Sequence, residues 1–403
     1  MRTITIIGAG HAGLQLGCGL ARAGHDVTIV SNRTADQIEG GRILSSQSMY
    51  SPAVDIEREF GLAFWDETCP PLTGFHAHAG TLQAGLMVEF HTRMGPGQSV
   101  DQRLKMPRWM RTFEQLGGKV EIRETDLSDL ERLAASSELV LVAAGKGEIS
   151  QLFERDSQRS VHEKPQRTIA LTYLHGMTPR SDCGGINIHV HPGVGELIHF
   201  PALTLTGPCD IVNLEAVIGG PMDDWNDVSN PADHLEKTLQ QIRSHFPWEA
   251  HRFENVRLTD ELGILAGRVT PTIRKPIGTL PSGRSVLGIG DVFVLNDPAT
   301  GQGSNNASRT SKILFDAIQA RGREPFDASW IRSTVDAVWE ATRCSASLTN
   351  TVLSRPPHAL KVMTACSKHP RLAREFADGF GDPSSMTWFF DPLAAEQKIE
   401  SYA

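Results

Sequence analysis

The chain has 403 residues, of which 40% are hydrophobic and 21% charged, with a formal net charge of −8. This length allows two or three packed units with cores of their own, and the composition is that of an ordinary globular protein. The negative charge and the lack of a long basic run argue against a nucleic-acid partner. No apolar stretch approaches the roughly 20 residues that span a bilayer.

The six cysteines lie far apart, and none forms C-x-x-C. Their spacing predicts no disulfide framework and no metal or redox motif. The first predicted strand begins at Thr3, which leaves no room for a signal peptide. We therefore expect a reduced, cytoplasmic protein without a metal.

The predicted elements begin with a strand at Thr3–Gly8, a glycine turn, a helix at Gly13–Ala23 and a second strand, HDVTIV. Gly8, Gly10 and Gly13 fit G-x-G-x-x-G in this βαβ context. The first glycine makes the turn, the second lets a pyrophosphate approach the backbone, and the third lets helix and strand pack closely. The predicted dinucleotide-binding residues of this turn are Gly8, Gly10, His11, Ala12 and Gly13.

The second strand ends in IVSNR, where such folds usually carry Asp or Glu for the ribose hydroxyls. Ser31, Asn32 and Arg33 occupy these places instead. Arg33 would suit the 2′-phosphate of NADP, whereas Ser31 or Asn32 would bond a ribose without charge. Taken alone, this stretch slightly favours NADP.

The next stretch, GGRILSSQSMY, is predicted as a glycine pair followed by an extended segment. In a strand, successive side chains point to opposite faces. One face would then carry Ser45, Gln47 and Met49, and the other Leu44, Ser46 and Ser48.

Further along, MPRWMRTFEQLGG is predicted as a helix that ends at glycine, and ELVLVAAG as a buried strand of a parallel sheet. From about Arg167 to Gly219, strand-like segments follow one another without helices, which predicts a largely antiparallel sheet. SVLGIGD is again a buried strand, followed by a helix from about Gln302, and helix dominates from Asp327 onward.

These elements predict an α/β fold with a Rossmann-like dinucleotide-binding domain, an inserted, largely antiparallel β-sheet substrate domain and a helical C-terminal tail. The predicted segments are 1–70, 98–166 and 285–325 for the nucleotide domain, 71–97 and 167–284 for the substrate domain, and 326–403 for the helical region.

GIGDVFVLNDPATGQGSNNAS weighs against NADP. It places Asp291 after a buried strand, and Gly301–Gly303 at the start of a helix. An acid there can bind a ribityl hydroxyl, and bare amides at a helix start suit flavin N1 and O2. FAD is therefore the predicted cofactor. Asn305 and Asn306 are expected to cap this helix or bond the isoalloxazine edge.

At these residues the chain resembles the styrene and indole monooxygenases, two-component flavoprotein oxygenases related to the aromatic hydroxylases. The likeness covers nearly the whole chain. It rests on GAGHAGLQLG, GGRILSSQSMY, VDQRL, VAAGKGEI, EKPQR, HPGVGELIHFP, GIGDVFVLNDPATGQGSNNAS, ATRCSASLTN and REFADGF.

The resemblance implies that a separate NADH-dependent flavin reductase delivers reduced FAD (FADH2) as a diffusible co-substrate. FADH2 would react with O2 to a C4a-peroxyflavin, which inserts one oxygen atom into an electron-rich double bond. No catalytic side chain is expected, because the peroxyflavin is the oxidant. A homodimer is a further expectation from the family. The implied FAD-binding residues are those of the glycine turn, Ser31, Asn32, Arg33, Arg42, Ala144, Gly145, Asp291, Pro298, Gly301, Gln302, Gly303, Asn305 and Asn306.

Members that favour indole tend to carry Ser-x-Gln-x-Met where this chain has Ser45, Gln47 and Met49, so the chain resembles the indole branch. Gln47 would accept the indole N–H or bond the flavin, and Met49 would fill apolar space. The implied reaction is epoxidation of the indole 2,3 double bond, leading to indoxyl and indigo; styrene epoxidation is the alternative. The implied substrate-binding residues are Ser45, Ser46, Gln47, Met49, Leu72, Gly74, Phe75 and Gly97.

Three other functions stay open. His76-x-His78 and His189-x-His191 would suit a metal, although no carboxylate partner stands out near them. A flavin-dependent halogenase would carry W-x-W-x-I-P, which RWMRTF, DDWND and FPWEA do not supply. A flavin carrier or sensor would have little use for the inserted sheet domain.

Overall fold

The computed structural model of the protein describes residues 1–144, 148–180 and 184–402. Its strands are β1 (Thr3–Ile7), β2 (Asp26–Ser31), β3 (Leu72–Thr81), β4 (Gly85–Gly97), β5 (Lys119–Ile122), β6 (Leu139–Val142), β7 (Arg167–His175), β8 (Gly185–His191), β9 (Gly195–Thr204), β10 (Gly207–Val217), β11 (Arg257–Leu258), β12 (Ile264–Arg268), β13 (Thr272–Ile273), β14 (Ile277–Thr279), β15 (Ser285–Gly288) and β16 (Val294–Leu295).

Its α-helices are α1 (His11–Arg22), α2 (Ala35–Glu39), α3 (Ser51–Glu59), α4 (Gln102–Gln115), α5 (Leu127–Ser136), α6 (Pro231–His245), α7 (Pro247–Ala250), α8 (Gln302–Arg321), α9 (Ala328–Ser354), α10 (Pro357–Cys366), α11 (Pro370–Gly379), α12 (Thr387–Phe390) and α13 (Pro392–Glu400). Short 3-10 turns at Gly290–Val292 and Pro298–Thr300 precede α8.

The first sheet has the strand order β14-β15-β6-β1-β2-β5. All neighbours are parallel except β14, which pairs antiparallel with β15 at the edge. Ile4, Ile6 and Ile29 are fully buried against α1, α4 and α8, as expected for a parallel sheet covered by helices. The predicted Rossmann-like domain is confirmed, and the carboxyl ends of its parallel strands form the edge where such sheets bind ligands.

The second sheet has the order β11-β7-β10-β9-β8-β3-β4, with β12 also pairing with β7. Its neighbouring strands are antiparallel except for β3 and β8, which are parallel. Gly74 pairs with Gly185 in that contact, and a Cβ on Gly185 would lie 1.9 Å from the Gly74 carbonyl oxygen. The predicted largely antiparallel sheet is confirmed, and β3 and β4 belong to it.

The two faces of the second sheet have different partners. Phe75, Phe200 and Ile211 lie on a face that packs against α9 to α13 and the segment around Ile43. Leu197 and other residues of the opposite face pack against α6. The first face includes Tyr173, which bonds the Ser45 carbonyl, so the candidate site lies on this side of the sheet.

Two predicted elements differ from the structure in their bounds. Helix α1 begins at His11, two residues before the predicted start. Helix α4 begins at Gln102 rather than at Met106, because the Asp101 side chain accepts a hydrogen bond from the Arg103 amide and caps the helix there.

The segment Gly41–Tyr50 is extended but is not a regular strand. Met49 pairs with Gln98 in an isolated bridge. Successive residues from Gln47 to Tyr50 are all buried, so the predicted alternation of faces is wrong. The reason is that protein covers both sides: Tyr173 of β7 donates a hydrogen bond to the Ser45 carbonyl at 3.1 Å, while α8 binds the segment from the other side.

Helices that combine enough length with enough apolar character to cross a bilayer were not found in the described part of the chain.

Candidate functional site

The start of α1 presents free backbone amides. Gly10 is its N-cap residue, no side chain caps the first turn, and the first turn carries no acid. A Cβ on Gly10 would meet nothing within 4 Å, whereas a Cβ on Gly13 would lie 2.1 Å from the Gly8 carbonyl oxygen. Gly8 itself has φ of +110° and sits against Ala143 and Ala144 of the adjacent β6 end. Free amides beside open space suit a pyrophosphate.

The start of α8 repeats this arrangement. Gly301, its N-cap residue, has φ of +63°, and no side chain caps the first turn. A Cβ on Gly301 would lie 2.4 Å from Ser48 Oγ, so only glycine fits between Pro298 and the helix. A Cβ on Gly303 would meet nothing within 4 Å. This second uncapped helix start suits the electron-rich edge of a flavin ring.

Helices α1 and α8 are fastened to each other. Ser311 Oγ donates to the Ala12 carbonyl oxygen at 3.0 Å, and Gln15 Nε2 donates to Ser308 Oγ at 3.1 Å. Since Ala12 lies in the first turn of α1 and Ser311 comes nine residues after the start of α8, the two helix starts are offset by roughly 13 Å along α8. The offset suits one ligand whose pyrophosphate and ring are joined by a ribityl chain.

Asp291 lies between the two helix starts. It follows β15, and its side chain is exposed. The preceding residue, Gly290, has φ of +57°, and a Cβ there would lie 3.3 Å from the Ala12 Cβ. Asp291 is therefore placed beside the glycine turn, as a residue that binds the ribityl or ribose hydroxyls would be.

The residues predicted around the adenosine end are placed less specifically. Ser31 Oγ donates to the Arg33 carbonyl oxygen at 2.7 Å, so this hydroxyl is used in a local turn. Asn32 and Arg42 are exposed. Gly145 lies outside the described residues.

His11 turns its side chain into the protein. Its Nε2 lies 2.9 Å from Gln15 Oε1 and 3.5 Å from Glu57 Oε1. Burial and the charge of Lys105 lower the pKa of His11 to about 3, so the imidazole is neutral. Lys105 Nζ lies 2.7 Å and 2.9 Å from the two Glu57 oxygens, a buried ion pair beneath α1. Because the side chain faces the interior, the backbone amide is the group that this residue presents to a ligand at the glycine turn.

Asn305 corrects the sequence-based prediction. Its Nδ2 donates to the carbonyl oxygens of Ser48 at 2.8 Å and Gly301 at 2.7 Å, and its Oδ1 accepts from the Tyr50 amide at 2.9 Å. The side chain does not cap α8, because its hydrogen bonds go to the extended segment and to the Gly301 carbonyl oxygen. Asn305 instead fixes that segment against the start of α8.

The side chains of Asn306 and Gln302 also bond to other parts of the protein. Asn306 Nδ2 donates to Ser345 Oγ of α9 at 2.7 Å, so the side chain does not cap α8 as one alternative predicted. Gln302 Nε2 donates to the carbonyl oxygens of Thr300 at 3.1 Å and Phe380 at 3.0 Å. The Gln302 side chain holds the turn through its Nε2, while its Oε1 is buried without a partner in the described ranges and its backbone amide is also left for a ligand.

Gln47 has no hydrogen-bond partner for either side-chain polar atom within the described ranges, although it is only 1% exposed. A buried polar group left unpaired costs on the order of 1–3 kcal/mol, so such a group usually marks a ligand or water position. Gln47 directly precedes Ser48, which contacts the Gly301 turn. It is therefore the polar side chain best placed to meet a ligand beside the flavin edge.

The neighbours of Gln47 in the predicted substrate set have structural partners. Ser45 Oγ accepts a hydrogen bond from Gln102 Nε2 at 2.8 Å, and Ser46 is half-buried. Met49 packs with Ala53 and Val54 of α3. A Cβ on Gly97 would lie 2.3 Å from the Met49 carbonyl oxygen, so glycine there lets the segment approach β4.

Phe75 and Leu72 lie in the apolar core of the second sheet. The Phe75 ring contacts those of Phe90, Phe376 and Phe380, with centroids 6.2, 6.2 and 5.2 Å away. Packing against α11 and its C-terminal end accounts for this side chain, and Gly74 is the β3 residue opposite Gly185.

The VDQRL motif, whose role the sequence left open, links helix α4 to the second sheet. Arg103 binds Asp101 at 2.7 Å and Asp260 at 2.8 Å, and Thr204 of β9 donates to Asp101 Oδ2 at 2.6 Å. Sequence reasoning missed this network because its partners are far apart in the chain. It fixes α4 against the substrate sheet.

The histidine pairs do have a carboxylate partner, contrary to the sequence-based prediction. Glu249 of α7 lies 3.6 Å from His189 Nε2 and 3.4 Å from His199 Nε2, and their ligand atoms lie within 4.8 Å of one another. Arg252 and Arg180 donate to the same carboxylate at 2.9 and 3.0 Å. Two guanidinium charges at this carboxylate disfavour a divalent cation, so we interpret the cluster as a buried ion-pair network.

Comparison with known proteins decides the family. The chain is 31% identical over 415 residues to styrene monooxygenase StyA of Pseudomonas fluorescens, covering 100% of this chain and 98% of the relative. The chain belongs to the styrene and indole monooxygenase family. A second StyA, from a Pseudomonas species, is 31% identical over 99% of this chain and 96% of the relative. The family model "Styrene monooxygenase A putative substrate binding domain" matches residues 145–252.

Solved structures share the fold. The flavin-dependent brominase Bmp2 superposes with a TM-score of 0.71 at 16% identity, covering 100% of this chain and 98% of that one. A flavoprotein/dehydrogenase from Cytophaga hutchinsonii has a TM-score of 0.70 at 16% identity, with 99% of both chains covered. Membership of the family, shown by the 31% identical relatives, makes the protein an FAD-dependent monooxygenase. The two uncapped helix starts with open space beside Gly10 and Gly303 fit that cofactor.

Proposed function

We propose that this chain is the oxygenase component of a two-component system and that it oxygenates the 2,3 double bond of indole. A separate NADH-dependent flavin reductase would deliver reduced FAD as a diffusible co-substrate. FAD bound in reduced form supplies the two electrons that activate O2 for transfer of one oxygen atom. The product, indole 2,3-epoxide, would open to indoxyl, which oxidises in air to indigo.

The observation that carries the substrate proposal is Gln47. Its buried carboxamide has both polar atoms unpaired in the described structure. Indole offers an N–H donor that Gln47 Oε1 can accept, and styrene offers none. Rejecting an analogue that leaves a buried polar group unpaired is the stronger form of discrimination available to a site.

The other residues hold and shield the reacting groups. The amides at the start of α8 stabilise negative charge on the ring edge of a reduced flavin. Asn305 and Gly301 fix the Gln47 segment beside that edge, which holds the double bond within reach. Tyr50 and Phe380, both buried, form an apolar wall that excludes water.

Styrene is the second candidate, because the curated relatives named above are styrene monooxygenases and share 31% identity over the whole chain. An apolar alkene needs no hydrogen bond, so it would enter the same cleft and leave Gln47 to bond the flavin.

The test is a single turnover with chemically reduced FAD, indole and ¹⁸O2, without any reductase. We expect one ¹⁸O atom per product molecule, in yield limited by the reduced FAD supplied. Reduced FAD that is oxidised entirely to hydrogen peroxide, with no labelled organic product from indole or styrene, would contradict the proposal.

A further inference from the structure

Beneath the flavin-facing turn lies a group of five charged side chains, which we call the carboxyl cluster; four of them are buried, and the fifth, Arg355, is 28% exposed. Its members come from β7, β9, β10, the turn before α8 and the residue after α9. They are Arg167, Glu196, Glu215, Asp297 and Arg355.

Glu196 forms ion pairs with both arginines of the carboxyl cluster. Arg167 Nε and Nη2 donate to its two oxygens at 2.9 and 3.0 Å. Arg355 Nη2 donates to Glu196 Oε1 as well. Glu196 is therefore an ionised carboxylate with two cationic partners.

Glu215 and Asp297 are left to each other. Glu215 is 0% exposed; its Oε1 accepts from Asn213 Nδ2 at 2.6 Å, and its Oε2 has no partner within the described ranges. Asp297 is also 0% exposed; its Oδ1 accepts from the Ala299 amide at 3.1 Å, and its Oδ2 is equally unpaired. The two carboxyl groups lie within hydrogen-bond reach.

The charges decide what joins these two carboxyl groups. Arg167 and Arg355 carry two positive charges, and the three carboxylates would carry three negative ones. An uncompensated charge in a buried cluster is costly. One proton makes the cluster neutral, and one O–H donor is also what two unpaired carboxyl oxygens need to form a hydrogen bond.

We propose that Glu215 and Asp297 share one proton at neutral pH and that this hydrogen bond fastens the flavin-facing turn to the substrate sheet. Both are positioning residues. Asp297 directly precedes Pro298–Thr300, the turn that ends at Gly301 and sets the start of α8. Burial and the nearby carboxylates raise the pKa of Glu215, and burial raises the pKa of Asp297 to about 6.

The functional consequence rests on the proposed function. Ionising both carboxyls would make them repel, which moves the turn away from the sheet and loosens the site around the reduced flavin. Glu215→Gln keeps an N–H donor for Asp297 and keeps the cluster neutral, so it mimics the joined state. Glu215→Leu removes the donor and leaves Asp297 as a buried, unpaired carboxylate.

The direct test is infrared spectroscopy of the protein alone in D2O at pH 7.5. The difference spectrum of wild type minus Glu215→Gln should show the C=O stretch of one carboxylic acid lost in the variant, and Asp297→Asn should lose the same band. Glu154→Gln, at an exposed carboxylate paired with Lys275, should lose only carboxylate bands. A wild type without an acid band that depends on Glu215 overturns the proposal.

A second arm measures product formed per reduced FAD oxidised. Glu215→Gln should stay within about two-fold of wild type, whereas Glu215→Leu should fall by about 10-fold and release hydrogen peroxide. Equal losses of product yield in both variants overturn the positioning role. If Glu215→Leu does not fold, the yield of Glu215→Gln still tests the proposal. If wild type shows the infrared band but forms no oxygenated product, the shared proton is supported and the proposed function is refuted.

Discussion

Asn305 and Ser48, 257 residues apart in the chain, are joined by a 2.8 Å hydrogen bond from the Asn305 amide to the Ser48 carbonyl oxygen. With the bond that Asn305 accepts from the Tyr50 amide, this contact fixes the extended segment to the helix that faces the flavin. The segment carries Gln47. The position of this proposed substrate-binding residue therefore depends on the side chain of Asn305, which lies in the helix that faces the flavin.

Asn305→Ala should therefore loosen the site. We expect a loss of about 1–3 kcal/mol in unfolding free energy, since buried backbone groups lose their partners, and about 10-fold less product per reduced FAD. Denaturant unfolding and peroxide assays measure the two effects. The matched control is Asn306→Ala, whose partner Ser345 lies on α9. It should lose similar stability but keep its yield, and an Asn305→Ala variant with wild-type yield would contradict the assigned role.

Gly10 tests the phosphate cradle. Gly10→Ala adds a methyl group where the free protein has open space, so the melting temperature should not fall, while reduced FAD should bind about 10-fold more weakly because the methyl group meets the pyrophosphate. Anaerobic titration measures this affinity. Gly267→Ala is the control, because a Cβ there also meets open space but lies in β12. Unchanged FAD affinity in Gly10→Ala would refute the cradle.

Gln47 tests the substrate branch. Gln47→Val should lower kcat/KM for indole by about 10-fold, since the N–H of indole loses its acceptor, and should change styrene turnover much less. Competition assays with both substrates give the ratio directly. Met49→Leu, an apolar exchange in the small cluster with α3, should affect both substrates alike. Equal losses for indole and styrene in Gln47→Val would remove the assigned role.

His199 predicts how stability depends on pH. Burial lowers the pKa of His199 from 6.5 to about 4, so between these values the unfolded chain takes up a proton that the folded protein does not. Stability is therefore fully present above pH 6.5 and falls on acidification, by up to about 1.4 kcal/mol per pH unit for this group. His199→Gln should flatten that slope in urea unfolding measured at several pH values, whereas His91→Gln, at an exposed position, should not. An unchanged slope in His199→Gln would contradict the assignment.

The fold was largely predictable because each main element has a local signal. Buried apolar runs and a glycine turn predict β1, α1 and the parallel sheet, and clustered strands predict the second sheet. The alternation in Gly41–Tyr50 failed because that segment is covered on both sides, which no local period shows.

Of the candidate site, only the backbone features could be predicted from the sequence. The glycines at both helix starts follow from the need for close approach. The partners of Asn305, Glu215 and Glu249 come from distant segments, so their roles depended on tertiary contacts. The cytoplasmic location, the homodimer and the domain boundaries remain predictions.

The most direct test of the account is product analysis after a single turnover with chemically reduced FAD, O2 and an equimolar mixture of indole and styrene. We predict oxygenated product from the mixture, with indoxyl and its indigo exceeding styrene oxide. Stoichiometric hydrogen peroxide with neither product would contradict the monooxygenase site, and styrene oxide as the main product would contradict the role given to Gln47.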